Sequence, residues 1–223
     1  MDKIIARIVN RADNAEMLKE VPFTPVANNL AVVYRQLLYM NEVSMTTMPI
    51  TNERMHEMEL SRQELHQLAM ENTRNFLKPQ CQTMESILFS LTGKMMGSML
   101  QEMVPDGIPE EFEMGDMKLY VLSNEMHMNG AVCIADTDFM HQVSEQYFEG
   151  QNFKILPSSI HEVLAVSEDM DTSELLQIVC DANNYVLDPG EQLADAVYQY
   201  DADKKLVSCI ASKVPLRSPQ FVR

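Results

Sequence analysis

Phe153-Lys-Ile-Leu-Pro-Ser-Ser-Ile-His-Glu-Val-Leu-Ala-Val-Ser167 is the stretch on which the reading of this chain turns. Two apolar runs, Phe153 to Leu156 and Val163 to Val166, flank a polar kink from Pro157 to Glu162. Runs this short, rich in branched or aromatic side chains and bounded by turn formers, read as buried strands. In the kink, Ser, His and Glu crowd together beside an expected sheet.

The same grammar extends outward. Tyr120 to Ser123 and Ala131 to Ala135 are expected strands, joined through Asn129-Gly130, two residues that tolerate positive φ. Thr137 to Phe148 has a helical stripe (Phe139, Met140, Val143, Tyr147) that Gly150 ends. Beyond the kink, Asp171-Thr-Ser-Glu174 caps a helix carrying Leu175, Leu176, Val179 and Ala182. Asp188-Pro-Gly is a turn, and Ala196 to Tyr200 with Lys205 to Ile210 form a hairpin. The second half thus reads β-β-α-β-β-α-β-β, a mostly antiparallel sheet with helices on one face, an α+β arrangement.

The first half reads as helical, with one β-hairpin. Ile4, Ile5, Ile8 and Val9 fall at helical spacing and predict a helix over 2–12, with Asn14 to Leu18 adding a turn. Pro22 and Pro25 enforce an extended connector. Leu30 to Met40 and Ser44 to Thr51 make the hairpin, turning at Met40-Asn-Glu-Val43. Asn52 to Met58 is a short helix capped by Thr51 or Asn52. Ser61-Arg-Gln-Glu64 is a capping box opening a helix that stops before Pro79. Another helix starts at Thr83 and carries Ile87, Leu88, Leu91, Met95, Met99 and Leu100. Val104 to Met117 mixes Pro, Gly and acids as a solvated boundary. The expected division is a helix-rich lobe over 1–104, an acidic loop over 105–117, a sheet lobe over 118–212 and a flexible tail over 213–223.

Composition narrows the function classes. With 33 acidic against 17 basic residues, the formal charge of −16 repels phosphate backbones, so no nucleic-acid role is expected. No window approaches the roughly 18 unbroken apolar residues of a membrane helix, and the N-terminus is too polar for a signal peptide. The four cysteines lie far apart without C-x-x-C spacing and read as reduced, which fits a cytoplasmic location. Nineteen methionines scattered along the whole chain read as core filler.

The candidate chemistry is confined to the kink. Ser158 or Ser159 could serve as nucleophile, His161 as base, and Asn124, Asn129 and Glu162 as polar support. In a regular strand Ser159 and His161 share a face about 7 Å apart, which suits a water bridge rather than a direct bond. Glu162 then points the other way. No G-x-S-x-G elbow presents either serine. The five histidines show no metal-ligand spacing, and neither common nucleotide-binding loop is present, so the sequence specifies no metal and no cofactor.

Leu122-Ser-Asn124, Asn129-Gly-Ala131 and Ile155-Leu-Pro-Ser-Ser-Ile-His-Glu-Val-Leu164 resemble a bacterial family designated domain of unknown function 5688, common in Gram-positive gut anaerobes. The likeness runs from Ile4 to Ile210 and takes in Ile50-Thr-Asn-Glu53 and the helix from Glu64 to Thr73. It implies a cytosolic bacterial protein, with a further N-terminal segment in many relatives, and brings no activity, substrate or cofactor. Two readings follow. The first is a non-enzymatic interaction or accessory domain with a protein or small-molecule partner. The second is a hydrolase or other small-molecule enzyme built on the Ser/His kink.

Overall fold

The computed structural model describes residues 3–41, 44–83, 119–185 and 187–213. The helix expected from Thr83 to Leu100 lies outside the described residues except for Thr83, itself in a strand, and so do the acidic loop at 105–117, the tail from 214 onward and the last two residues of the Met40–Val43 turn.

The first correction comes at once. Residues 2–12 are not helical: Ile4–Asn10 is a strand, β1. It is followed by α1 (Met17–Glu20), β2 (Phe23–Val26), β3 (Leu30–Met40) and β4 (Met45–Pro49). The N-terminal half is therefore strand-rich, and the expected helical lobe is overturned. The cause is burial on both faces. Ile4, Ala6 and Ile8 face the main core, whereas Ile5 and Val9 enter separate clusters on the opposite face. A strand covered on both sides loses its alternation, and its apolar run then imitates helical spacing.

β1 pairs antiparallel with β3 over its whole length. On the other side of β3, β2 pairs with the first half and β4 with the second, past a register shift between Leu37 and Tyr39. The free edge of β1 is closed by α3 (Arg62–Leu77). The Ala6 amide donates to Thr73 Oγ1 at 2.8 Å, and Asn72 Nδ2 donates to the Ile4 carbonyl at 2.9 Å. Unpaired strand edges template aggregation, and here helix side chains occupy those groups. The helix starts as its sequence dictates: Ser61 and Glu64 form a reciprocal capping box. Ahead of it, Thr51 caps α2 (Asn52–Glu57).

The second sheet runs β10-β9-β7-β8-β6-β5 with every neighbour antiparallel. Its strands are β5 (Pro79–Thr83), β6 (Tyr120–Asn124), β7 (Phe153–Leu156), β8 (Val163–Ser167), β9 (Ala196–Asp201) and β10 (Leu206–Ser212). Two expectations fail here. Ala131 to Ala135 is not a strand but part of a 3-10 helix, Gly130–Ala135, with Gly130 through Ile134 buried. An apolar run enclosed on all sides carries no period that separates strand from helix.

The helices also lie on both faces of this sheet, not one. Phe153, Ile155, Ala165, Tyr198 and Tyr200 face the main core together with Phe139, Met140 and Val143 of α4 (Thr137–Tyr147). Leu156, Val166 and Val197, one residue out of phase, face Leu175 and Val179 of α5 (Thr172–Tyr185). The main core also holds Ile4, Leu30, Val32 and Tyr34 of the first sheet, so both sheets share it. Across it, Tyr198 Oη donates to Asn29 Oδ1 at 2.9 Å. Arg74 of α3 forms a two-pronged ion pair with Asp136, at 2.8 Å and 2.6 Å, and the same carboxylate caps α4. Among the described residues no helix is long and apolar enough to cross a membrane.

Candidate functional site

The kink is the connection between β7 and β8, and the 3-10 segment presses against it. Several of its main-chain groups are paired. The Ser159 amide donates to the Glu162 carbonyl at 3.0 Å, and the Ile160 amide donates to the Glu191 carbonyl at 2.8 Å. The Ala131 amide donates to the Ile160 carbonyl at 3.3 Å, and Ser123 Oγ donates to the His161 carbonyl at 2.8 Å. Buried main-chain polar groups require such partners, and a tight connection between two strands offers few of its own.

The expected site residues fall into this lattice in definite places. Ser159 is buried, and its Oγ accepts the His161 amide at 3.0 Å, a local hydroxyl-to-backbone bond two residues on. Ser158 Oγ donates to Glu162 Oε1 at 3.4 Å. His161 Nδ1 accepts the Asn129 amide at 3.2 Å. That bond leaves Nδ1 unprotonated and puts the imidazole proton on Nε2, which lies 3.8 Å from Glu191 Oε1. Asn124 is buried and turns inward on its own loop. Its Oδ1 accepts the Met126 and Met128 amides, and its Nδ2 donates to the Met128 carbonyl. Asn129 contributes its main chain, in the left-handed conformation at φ 54°.

The structure thus brings together His161, Asn129, Ser159, Ser158 and Glu162, and places Asn124 behind them as the brace of the 124–130 loop. Among the described residues no hydrogen bond joins a serine hydroxyl to the imidazole. Nucleophilic activation by His161 needs such a bond, or one bridging water, together with a free ring lone pair. Three participants were not among the expected residues: Ser123, Gly130 and Glu191. Gly130 is decisive, because a Cβ there would sit 2.4 Å from Ser123 Oγ and 2.5 Å from the His161 carbonyl oxygen. The Asn-Gly pair in the sequence signalled a turn, not this close crossing of chains. Glu191 lies 30 positions from His161, with no local pattern to reveal it.

Two cavities lie elsewhere. One of about 20 Å³ sits between α3 and the 3-10 segment, lined by residues that include Arg74, Asn124 and Asp136. A wider cleft of about 310 Å³ runs between β5 and α4, past Gln80, Gln82, Gln142, Gln146 and Tyr147. Neither is lined by Ser158, Ser159 or His161. The four cysteines are free, and burial pushes every thiol up, that of Cys81 to about 12. Thiolates are the reactive form, so each behaves as a small hydrophobe. Among the described residues no three His, Cys, Asp or Glu side chains are grouped to hold a metal ion.

A model of the Family of unknown function (DUF5688) matches residues 1–202. No curated protein and no solved structure matches the chain.

Proposed function

The chain belongs to the Family of unknown function (DUF5688), a membership that passes on no activity, and we propose from the geometry itself that it is a non-enzymatic interaction or accessory domain of the bacterial cytoplasm. One observation carries this reading: the Nδ1 lone pair of His161 is spent on the Asn129 amide. The neighbouring hydroxyls are engaged elsewhere as well: Ser159 Oγ accepts the His161 amide and Ser158 Oγ donates to Glu162. The polar residues of the kink act as a clasp that ties the β7–β8 connection to the 124–130 loop and to Glu191. The proposed partner is a protein or a small molecule, and the acidic charge opposes a nucleic acid.

A fluorophosphonate probe, which traps activated serines, tests the reading. The expected result is no adduct on Ser158 or Ser159, together with a lower melting temperature for His161→Ala. A probe adduct on either serine that disappears in His161→Ala would establish the hydrolase reading instead.

A further inference from the structure

The outer face of the first sheet, away from the Ser–His kink, carries a different arrangement. Lys3, Ile5, Arg7, Val9 and Arg11 alternate in step along β1 and its flanks, so all five share one face. On β3, Val33 lies opposite Arg7 and Arg35 lies opposite Ile5. Arg7 and Arg35 are therefore diagonal neighbours on that face, within reach of each other's long side chains. Apolar clusters close the face on either side of them. Val9, Ala31 and Val33 pack with Leu18 and Val21 at one end, and Ile5 and Leu37 pack with Leu77 at the other. Arg7 on β1 and Arg35 on β3 fall between the two clusters in the register.

Both are half-buried, and they are built in differently. Arg35 is fixed by Thr47: its Nε donates to Oγ1 at 2.6 Å and its Nη2 to the carbonyl at 3.1 Å, which leaves Nη1 available. Arg7 Nε is fully buried and has no hydrogen-bond partner. Among the described residues no carboxylate pairs with either side chain, although acids outnumber bases by 33 to 17 in the chain. Burial lowers both guanidiniums from the ordinary arginine value, and Arg7 lowers Arg35 further, with no acidic group among the described residues acting against it. Two like charges side by side on a partly buried face call for an anion.

We propose that Arg7 and Arg35 form a binding site for the phosphate group of a small ligand. Two guanidiniums match a phosphate dianion in charge, whereas one carboxylate would leave a cation uncompensated. Arginine forks suit phosphate oxygens, and the apolar walls weaken competition from water. The chain's −16 charge disfavours a long polyanion and leaves a small phosphate compound as the fitting class.

Isothermal titration of the full chain at constant ionic strength tests this, using inorganic phosphate, glycerol 3-phosphate and malonate in separate arms. The expected result is saturable binding of phosphate or of the phosphomonoester with Kd below about 1 mM. The tighter of the two identifies the source as free phosphate or an organic ester. Arg7→Gln is expected to weaken binding by at least about tenfold, and Arg62→Gln, on the exposed start of α3, leaves it unchanged. In phosphate-free buffer Arg7→Gln should melt no lower than the parent chain, because the substitution removes a repulsion. No saturable binding by the parent chain, equal binding by Arg7→Gln, or malonate binding tighter than both phosphate compounds would each overturn the proposal. The parent titration decides alone if a variant fails to fold.

Discussion

Gly130→Ala concentrates the logic of the clasp in one methyl group. The added Cβ would lie 2.4 Å from Ser123 Oγ, 2.5 Å from the His161 carbonyl oxygen and 2.9 Å from Ser123 Cα. The hydroxyl could rotate, but the main-chain atoms cannot, so the 129–131 segment must retreat by roughly an ångström to reach normal contact. Overpacking of this kind costs about 1–3 kcal/mol. The retreat also pulls apart bonds from the Ala131 amide, the Asn129 amide and Ser123 Oγ, each worth about 1 kcal/mol net. Alanine's smaller unfolded-state entropy returns at most about 1 kcal/mol. The net expectation is a loss of about 3 kcal/mol, a large share of the roughly 5–15 kcal/mol typical of a domain. Urea unfolding followed by circular dichroism reads it, with Gly190→Ala as control. Gly190 has nothing within 4 Å of an added Cβ, so that variant should match the parent or gain slightly. A Gly130→Ala midpoint within about 0.5 kcal/mol of the parent would refute the close crossing.

Two other substitutions probe separate parts of the fold. Thr73→Val keeps the shape of α3 but strands the buried Ala6 amide, and a loss of about 2 kcal/mol in urea unfolding is expected; an unchanged midpoint would show that α3 does not close the β1 edge. His66, whose Nδ1 lies 3.1 Å from Tyr34 Oη, is held by burial below the ordinary histidine value. The unfolded chain therefore takes up that proton at a higher pH than the folded one, so stability falls as pH drops through the window between the two values and levels off below it. In His66→Gln the decline between about pH 7.5 and pH 5 should be shallower than in the parent, and an identical decline would contradict the assignment.

Parts of both halves were legible because their signals are local. The capping groups at Ser61, Glu64 and Asp171 speak for themselves within a few residues, as do the short branched runs on either side of Pro157. What escaped was decided by distant parts of the chain. Ile4 to Val9 reads as a helix until α3, Leu77 and Val21 are known to cover its two faces. Ala131 to Ala135 reads as a strand until it is seen to be enclosed on every side. At the kink the chain is bent and not a regular strand, so strand parity does not govern Ser159, His161 and Glu162. Nor could parity supply Glu191, Ser123 or the Asn129 amide, because those partners arrive through tertiary packing across 30 or more positions.

The clasp rests on the Asn129 amide donating to His161 Nδ1, and nuclear magnetic resonance observes that bond directly. In uniformly ¹⁵N-labelled protein the account predicts an imidazole with its proton on Nε2 and not on Nδ1, with a through-bond coupling between the Asn129 amide nitrogen and His161 Nδ1. A ring protonated at Nδ1, with Nε2 free to accept from a serine and no such coupling, would contradict it.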